Sequence, residues 1–486
     1  MAYESLADFA HYLEKQGELK RITHPVDPHL EITEIADRVM KAGGPALLFE
    51  QPKGSRLPLI INTFGSRARM SAALGVDDLE EVAQRLETLV RIRPPESWGE
   101  KLGVLGRLIE LSQTARPKRV PIGACKEIIE RDDPSLDILP IQTCWPADGG
   151  PFITLPLVFT RHPITGRRNV GCYRMQKYDS RTTGMHWQLH KVGAEHGREA
   201  ERLARERFPV AVALGGDPVL TYAATAPLPP EIDEIVFAGW IRRRAIEMVK
   251  CETNSLDVPA DSDIVIEGYI DPAERRREGP FGDHTGYYSL ADDYPVFHLT
   301  CVTHRMNPIY HTIIVGRPPM EDCHMAAAIE RLFLPLMKKQ LPEIVDFHMP
   351  FEGIFHNLVL VSIDKQYPGH ARKVMHALWG LGQAMVSKVI VVMDRDVNVR
   401  DYSQVTWKVL NHIDPQRDIE FVLGPVETLD HASRLPKYGS KMGVDATRKW
   451  PEEGFTRPWP DEIVMDQPTR HLVDRRWKEY GLEWDR

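Results

Sequence analysis

The sequence has few cysteines and no long hydrophobic run, and both absences exclude classes of protein. Six cysteines are scattered over 486 residues, without a Cys-x-x-Cys pair. Disulfide frameworks and zinc knuckles need closely spaced cysteines, so this usage indicates a reducing cytoplasm. No apolar stretch approaches the roughly 18 residues that a membrane span requires. The first residues also lack the basic and apolar regions of a signal peptide.

The chain also lacks a strong charge of either sign. Lysine and arginine number 61 and aspartate and glutamate 69, which gives a net charge of −8 without long acidic or basic blocks. This balance favours neither nucleic acid nor an anionic membrane as a partner. Gly-x-Gly-x-x-Gly, Walker A and Gly-x-Ser-x-Gly motifs are absent as well. Dinucleotide, nucleoside-triphosphate and serine-hydrolase sites therefore have no support in the sequence.

Hydrophobic patterning predicts three regions along the chain. Helical periodicity and two short apolar runs, 46–49 and 59–61, indicate α/β structure in the first hundred residues. Between 155 and 315, short β-rich runs separated by turn residues are typical of a sandwich or barrel, interrupted by one helix expected at 199–206. The last third returns to α/β alternation, with a buried parallel strand expected at 389–393. The last β-rich run of the middle region is Ile309–Val315.

The run Glu278–Tyr288 is the most informative segment for chemistry. It contains three glycines, one proline and two carboxylates, Glu278 and Asp283, which stand five residues apart around a Gly-Pro turn. Such a turn could direct both carboxylates at one cation or one substrate, where neighbouring groups would tune the pKa of an acid. A well-formed loop with polar caps explains the same residues equally well.

Two other segments carry candidate chemistry beside ordinary explanations. Arg174, in a β-rich run, could hold a carboxylate through two hydrogen bonds or form a surface ion pair. His186 and His190 have the i, i+4 spacing of a metal pair, but nineteen histidines make a chance pair common. The residues alone therefore indicate a cytoplasmic α/β plus β enzyme with an arginine–carboxylate site.

Taken together, five segments resemble the UbiD family of decarboxylases, which use prenylated flavin mononucleotide. The chain is most similar to the 4-hydroxy-3-polyprenylbenzoate decarboxylase branch and its menaquinone-pathway relatives. The resemblance runs in order from about residue 5 to residue 450, so coincidence does not explain it. The five segments are Gln16–Ile22, Gly43–Phe49, Arg207–Val210, Glu278–Tyr288 and Gly439–Thr447.

The resemblance implies an α+β fold with a central split β-barrel of the flavin-reductase type. The expected domains are an N-terminal α/β region at 1–116, the barrel with its flavin and metal sites at 117–320, a C-terminal α/β domain at 321–453 and a C-terminal arm at 454–486. Implied partners are a small aromatic carboxylic acid, CO₂ and a flavin prenyltransferase that supplies the cofactor. A cytoplasmic homo-oligomer, dimer or hexamer, is expected, without nucleic acid or a membrane span.

The resemblance also implies the residues of the site. Arg174, Glu278 and Asp283 would form the catalytic trio. A manganese or magnesium ion, with potassium as a further ion, would tie down the flavin phosphate, and an amide, an imidazole and a carboxylate suit such an ion. Its ligands, which also count as cofactor contacts, would be Asn169, His186 and Glu234. Further expected flavin contacts are Cys172, Tyr173, Arg174, Trp187, Gln188, Lys191, Val192 and Lys388.

The implied function is the reversible non-oxidative decarboxylation of an aromatic or α,β-unsaturated acid, in quinone biosynthesis or aromatic acid metabolism. Arg174, held by Glu278, would orient the substrate carboxylate. The flavin would bond covalently to the carbon that loses CO₂ and take up its electrons. Asp283 would then protonate that carbon, because the site, once CO₂ has left, is apolar enough to raise the pKa of this acid toward neutral. A flavin-binding protein without decarboxylase activity and a flavin reductase remain the alternatives.

Overall fold

The computed structural model describes residues 3–90, 114–188, 191–229 and 232–482. The helices α1 to α12 of this part are Leu6–Lys15, Glu31–Lys41, Arg67–Ala73, Leu79–Val90, Val192–Arg202, Pro218–Thr225, Glu234–Arg242, Glu321–Gln340, His370–Trp379, Tyr402–His412, Pro415–Asp418 and Gln467–Arg476. The strands β1 to β21 are Leu19–Ile22, Ala46–Phe49, Leu59–Ile61, Lys118–Arg119, Ile128–Glu130, Phe152–Ile153, Leu157–Arg161, Arg168–Cys172, Met175–Gln176, Thr182–Gly184, Phe208–Leu214, Glu247–Lys250, Asp257–Pro259, Ile264–Glu278, Asp292–His304, Tyr310–His311, Ile344–His348, Leu358–Ile363, Val389–Asp394, Ile419–Pro425 and Tyr438–Asp445.

The N-terminal region packs helices against a four-stranded sheet with the order β1-β2-β3-β16. The strands predicted at 46–49 and 59–61 are confirmed as β2 and β3. The strand predicted at Ile309–Val315 is wrong in length and in partner, since only β16 forms and it pairs in parallel with β3. Its backbone follows β3 because Tyr310 donates to the carbonyl of Pro58. Tyr310 and His311 thus belong to the N-terminal sheet, although they lie in the segment predicted for the barrel.

The central domain is built on a seven-stranded sheet. Its path is β10-β15-β14-β11-β7-β8, with β5 joined to β15, and these pairings are antiparallel. Register shifts after Glu267 and after Ile270 interrupt the long β14–β15 ladder, as bulges that bend strands do. Among the described residues, β8 and β10 at the two ends do not pair with each other. The described sheet is therefore open rather than a closed barrel.

The helix predicted at 199–206 is wrong in its bounds, because α5 starts seven residues earlier. Small residues allow it to approach the indole of Trp187 closely. A Cβ on Gly193 would come within 2.8 Å of Trp187 Nε1, and one on Gly197 within 2.8 Å of its Cζ3. The predicted segment overlaps only the last residues of α5, and the close contacts with Trp187 come from the preceding glycines.

The C-terminal domain is a five-stranded sheet with the order β17-β18-β19-β21-β20, parallel in the middle and antiparallel at both edges. The strand predicted at 389–393 is confirmed as β19. Its side chains alternate between two apolar clusters, since Ile390 packs with Val374 of α9 and Val391 with Val405 of α10. No helix in the described ranges has the length and apolarity to cross a bilayer.

Replacing Ile266 by Ala should destabilise the protein strongly, because this residue of β14 is fully buried in a large apolar cluster. The lost apolar burial and the cavity should lower the free energy of unfolding by about 2–5 kcal/mol. Urea unfolding followed by circular dichroism measures the change. The matched control is Ile164→Ala, at a position 61% exposed between β7 and β8. Equal losses in both variants would contradict the placement of β14 in the core.

Candidate active site

Arg174 lies between β8 and β9, and its side chain is only 10% exposed. Its Nε donates to Glu278 Oε1 at 3.1 Å, its Nη1 pairs with Asp283, and its Nη2 donates to Ser289 Oγ at 3.3 Å. The guanidinium also lies 4.6 Å from the ring centre of Phe281. The three residues of the predicted catalytic trio thus come together in one enclosed cluster.

The loop between β14 and β15 positions both carboxylates of this cluster. Glu278 ends β14, and Gly279 then takes a φ of 89°, which favours glycine. The amide of Gly282 donates to Asp148 Oδ1 at 2.7 Å, which fixes the loop before Asp283. A Cβ at Gly282 would come within 2.1 Å of Trp145, so a larger residue cannot replace it without displacing this contact.

His186 joins the same cluster through Glu278. Its Nδ1 lies 2.8 Å from Glu278 Oε1, and its ring packs 4.3 Å from that of Tyr294. Burial and the charge of Arg174 lower the pKa of His186. The imidazole is therefore neutral, donates from Nδ1 and keeps a lone pair on Nε2. The other carboxylate oxygen of Glu278 has no hydrogen-bond partner in the described part of the chain.

The charge of Arg174 dominates the electrostatics of Asp283 in this arrangement. Burial alone would raise its pKa, but the charge of Arg174 and the hydrogen bond from His284 hold the pKa well below its usual range. The cause is that Asp283 itself pairs with the guanidinium that was expected to hold a substrate carboxylate. The predicted rise toward neutral concerns the site once CO₂ has left, and it stays a prediction.

Asn169 lies in β8, and Glu234 is the first residue of α7. Glu234 Oε2 accepts from the backbone amide of Val170 at 3.1 Å, and Asn169 Nδ2 lies 3.5 Å from Tyr173 Oη. Burial raises the pKa of Glu234 to about 7. A carboxylate oxygen and an amide oxygen are donors that suit manganese or magnesium.

His186 is not linked to this pair by a hydrogen bond or ion pair within the described residues, because its Nδ1 faces Glu278. Nor do three His, Cys, Asp or Glu side chains of the described ranges form a group suited to a metal ion. His190, the i+4 partner of His186, lies outside the described residues. The predicted metal ligands are therefore only partly brought together by contacts.

Two predicted flavin contacts, Trp187 and Gln188, line a cavity of about 360 Å³. Across this cavity lie Thr428 and Lys437, from the loop between β20 and β21 of the C-terminal domain. The buried indole of Trp187 packs edge-to-face on the ring of Tyr173, with ring centres 6.5 Å apart. The Trp187 Nε1 has no hydrogen-bond partner among the described residues. The cavity therefore lies between the central and C-terminal domains, and none of Arg174, Glu278 and Asp283 lines it.

The other predicted flavin contacts lie in different surroundings. Cys172 ends β8, and burial raises its pKa to about 12 while the charge of Lys191 acts in the opposite direction. Lys191 precedes α5, and Val192 is the first residue of that helix. Lys388 donates to Asp430 Oδ1 at 2.9 Å. Its ammonium group is thus paired within the C-terminal domain.

Sequence reasoning missed two histidines that adjoin the cluster. His284 Nδ1 lies 2.9 Å from Asp283 Oδ1, and His284 Nε2 lies 3.0 Å from Nε2 of His356. The position of His284 directly after Asp283 is a signal that could have identified it. His356 is 72 residues away, in another domain, and no pattern in the sequence connects the two rings.

The chain matches known proteins over nearly its whole length. Three solved structures superpose on it, and the match covers the whole length of each. Vanillic acid decarboxylase of Sedimentibacter hydroxybenzoicus in closed form covers 99% of this chain and 100% of its own, at 26% identity and a TM-score of 0.87; the open form gives 0.80. An evolved dimeric form of the UbiD-class enzyme HmfF from Pelotomaculum thermopropionicum, in complex with prFMN, gives 0.79 at 30% identity, over 97% of this chain and 100% of that one.

Sequence comparison agrees with the structural match. An uncharacterised protein of Archaeoglobus fulgidus is 50% identical over 480 residues, 99% of each chain. Models of 3-octaprenyl-4-hydroxybenzoate carboxy-lyase match at 10–87 for its N-terminal domain, at 118–318 for its Rift-related domain and at 323–446 for its C-terminal domain. With all three domain models matched in order, the chain belongs to the UbiD family of carboxy-lyases.

Proposed function

We propose that the chain catalyses the reversible non-oxidative decarboxylation of an aromatic or α,β-unsaturated acid with prenylated flavin mononucleotide. The observation that carries this proposal is the enclosed guanidinium of Arg174 between Glu278 and Asp283. A nearly buried guanidinium recognises a carboxylate by two parallel hydrogen bonds. The decarboxylase named for one relative and the prFMN complex of another support the same assignment. A binding protein or flavin reductase would not need this cluster.

The residues present fit the proposed cofactor. Asn169 and Glu234 would hold manganese or magnesium at the flavin phosphate, with His186 as third ligand through Nε2 and potassium as a further ion. Glu278 would then orient His186 from the other ring nitrogen, as carboxylates commonly do for ligating histidines. Trp187 offers an unpartnered Nε1 beside the interdomain cavity. When bound, the prenylated flavin supplies an electron sink, through a covalent bond to the carbon that loses CO₂.

The remaining proposed contacts, Cys172, Tyr173, Gln188, Lys191 and Val192, would surround the flavin. Cys172 and Tyr173 follow β8 directly, and Lys191 and Val192 open α5. Lys388 is the weakest of the set, because a flavin phosphate would have to draw it away from Asp430. The proposal places the flavin between the central and C-terminal domains, where the lined cavity supports it.

The lowered pKa of Asp283 becomes intelligible if the substrate carboxylate exchanges partners with it. An incoming carboxylate would take Nη1 of Arg174 from Asp283, while Glu278 still holds Nε. Asp283 would then be a buried carboxyl that shares its cation with a second anion, and both effects raise its pKa. Substrate binding would thereby convert an ion-pair partner into the acid that protonates the product carbon.

Other parts of the proposal concern architecture and setting. The bends of the β14–β15 ladder support a split barrel as the form of the central sheet. Division into 1–116, 117–320, 321–453 and 454–486 remains the proposed domain plan. A homo-oligomer is supported by the dimeric form named for a relative. Six free cysteines are consistent with the cytoplasm, and the family's prenylated hydroxybenzoate substrate favours quinone biosynthesis. A flavin prenyltransferase would supply the cofactor.

Arg174→Lys should keep the charge but lose the two-pronged contact, so carboxylate orientation should fail even where flavin is retained. We expect a rate loss of at least about 10²-fold, since small misplacements are costly in a near-attack geometry. CO₂ release from a panel of hydroxybenzoates, naphthoates and cinnamates measures it. The control Arg181→Lys alters an arginine paired with Asp133 at the surface. Near-equal activity of Arg174→Lys and wild type on every accepted acid would disprove this role.

Asp283→Asn should retain the cofactor and lose turnover, because an amide cannot deliver a proton at neutral pH. The expected loss is about 10²–10⁴-fold. Exchange of deuterium into the decarboxylated product in deuterated buffer tests the same step in reverse, and Asp133→Asn, at a highly exposed position, is the control. If Asp283→Asn exchanges at the wild-type rate, another group is the acid.

Glu234→Ala should reduce bound metal and flavin, because it removes one of few buried oxygen ligands. Manganese and flavin per chain in purified protein measure this, with Glu247→Ala on the exposed edge of β12 as control. We expect at least about a tenfold loss of metal affinity, the scale seen when metal-site residues are altered. Full retention of both groups would place the ion elsewhere.

A further inference from the structure

His284 connects Asp283 to the C-terminal domain through a continuous line of side chains. Its Nδ1 contacts Asp283 Oδ1 at 2.9 Å and its Nε2 contacts His356 Nε2 at 3.0 Å. Phe355 stacks on the same imidazole with ring centres 5.3 Å apart. The His284 side chain is 19% exposed, so water can reach it. The line therefore joins the proposed acid to solvent and to another domain.

The hydrogen bonds fix where the protons are. Asp283 is an ionised carboxylate and can only accept, so His284 donates from Nδ1. Burial and the charge of His284 lower the pKa of His356 to about 3, so this ring is neutral and can accept at Nε2. Burial acts against a charge on His284, but Asp283, Asp322 and Glu427 outweigh it and raise its pKa. His284 is thus the proton carrier of the line.

A strained turn presents the partner residues to His284. Ile354 and Phe355, which are consecutive and not glycine, have φ values of 57° and 44°. Left-handed backbone is costly for such residues, above all for a β-branched one, and persists where the surroundings fix it. The turn is closed by backbone hydrogen bonds from Phe355 and Asn357 to Pro350 and Gly353. Strain of this kind indicates that the placement of Phe355 and His356 is specific.

We propose that His284 supplies protons to Asp283 and that His356 holds it in place, so that the acid is complete only when the C-terminal domain is seated. His284 is a positioning and proton-supplying residue, not one that touches substrate. This inference rests on the proposed decarboxylation. The better match of this chain to the closed form of the vanillic acid decarboxylase than to its open form, 0.87 against 0.80, is consistent with a seated domain.

The proton balance of the step is simple. The N–H bond at His284 Nδ1 breaks as an O–H bond forms on Asp283, and that O–H bond breaks as the product C–H bond forms. His284 then regains one proton from water, so each CO₂ released consumes one solvent proton. The hydrogen bond that His284 Nε2–H donates to His356 is present before and after the transfer. His356 can therefore hold the ring in one orientation throughout.

The pH dependence follows from the groups that face His284. These are Asp283 on its own loop, His356, Asp322 in the first turn of α8, and Glu427 after β20. The proton donor is the imidazolium, so the rate should fall as pH rises through the pKa of His284. Removing the acceptor at His356 destabilises the imidazolium and should move that fall to lower pH.

The test compares pH profiles of kcat and KM for cofactor-loaded wild type, His284→Gln, His356→Leu and His356→Gln. The substrate is the acid of the hydroxybenzoate, naphthoate and cinnamate panel that wild type converts fastest. His284→Gln should lower kcat about 10²-fold with KM nearly unchanged and abolish the fall at high pH. His356→Leu should shift the fall by about one unit to lower pH. His356→Gln retains a hydrogen-bond acceptor, so its rate should fall close to the pH at which the wild-type rate falls.

His376→Gln, on the exposed side of α9, is the matched control and should leave the profile unchanged. A wild-type pH profile in His284→Gln would overturn the inference while leaving the decarboxylation intact. Failure of wild type on every acid would instead overturn the proposed function. The two failures are therefore distinguishable.

A second measurement needs neither cofactor nor substrate. Nitrogen NMR of selectively labelled histidines in the unloaded protein should show one ring that is still doubly protonated at a pH at which the other rings are neutral. That signal should disappear in His284→Gln and titrate at lower pH in His356→Leu. If a variant does not fold, the wild-type titration remains decisive, because a His284 ring that is neutral at pH 6 would overturn the proposal.

Discussion

The site depends on the ion pairs that one guanidinium forms with two carboxylates. Arg174 is nearly enclosed, and its guanidinium forms ion pairs with Glu278 at Nε and with Asp283 at Nη1. A nearly buried ion of this kind is tolerable only when it is paired and hydrogen-bonded in good geometry, so both carboxylates need fixed positions. The sharp loop after β14, with Gly279 in a left-handed conformation and Gly282 against Trp145, follows from that requirement.

Glu278 and Asp283 are both carboxylates paired with Arg174, but each has a different second partner. Glu278 also contacts His186, so it remains engaged whatever binds Arg174. Asp283 has His284 as its only other charged neighbour in direct hydrogen-bond contact among the described residues. The two carboxylates thus differ in the histidine that holds each of them. The asymmetry arises from the second partner of each carboxylate rather than from their own chemistry.

Domain packing extends this electrostatic arrangement beyond the central sheet. Two loops of the C-terminal domain contact the segment that carries Asp283: His356 meets His284, and His431 packs 4.3 Å from Tyr287. The interdomain cavity is lined from both sides in the same way. The protonation of a group in one domain thus depends on side chains in another, which couples the proposed chemistry to the relative position of the domains.

The sequence by itself determined the family, the order of α/β, β-rich and α/β regions, and the residue types of the arginine cluster. These depend on local patterns: the apolar run of β19, the short strands β2 and β3, and the glycine-rich segment Glu278–Tyr288. Only the tertiary structure decided that β16 pairs with β3, that Asp283 is an ion-pair partner of Arg174, and that His356 reaches His284. Each of these depends on residues far apart in the chain, and pairing, pKa and proton position are set by the neighbours that folding brings together.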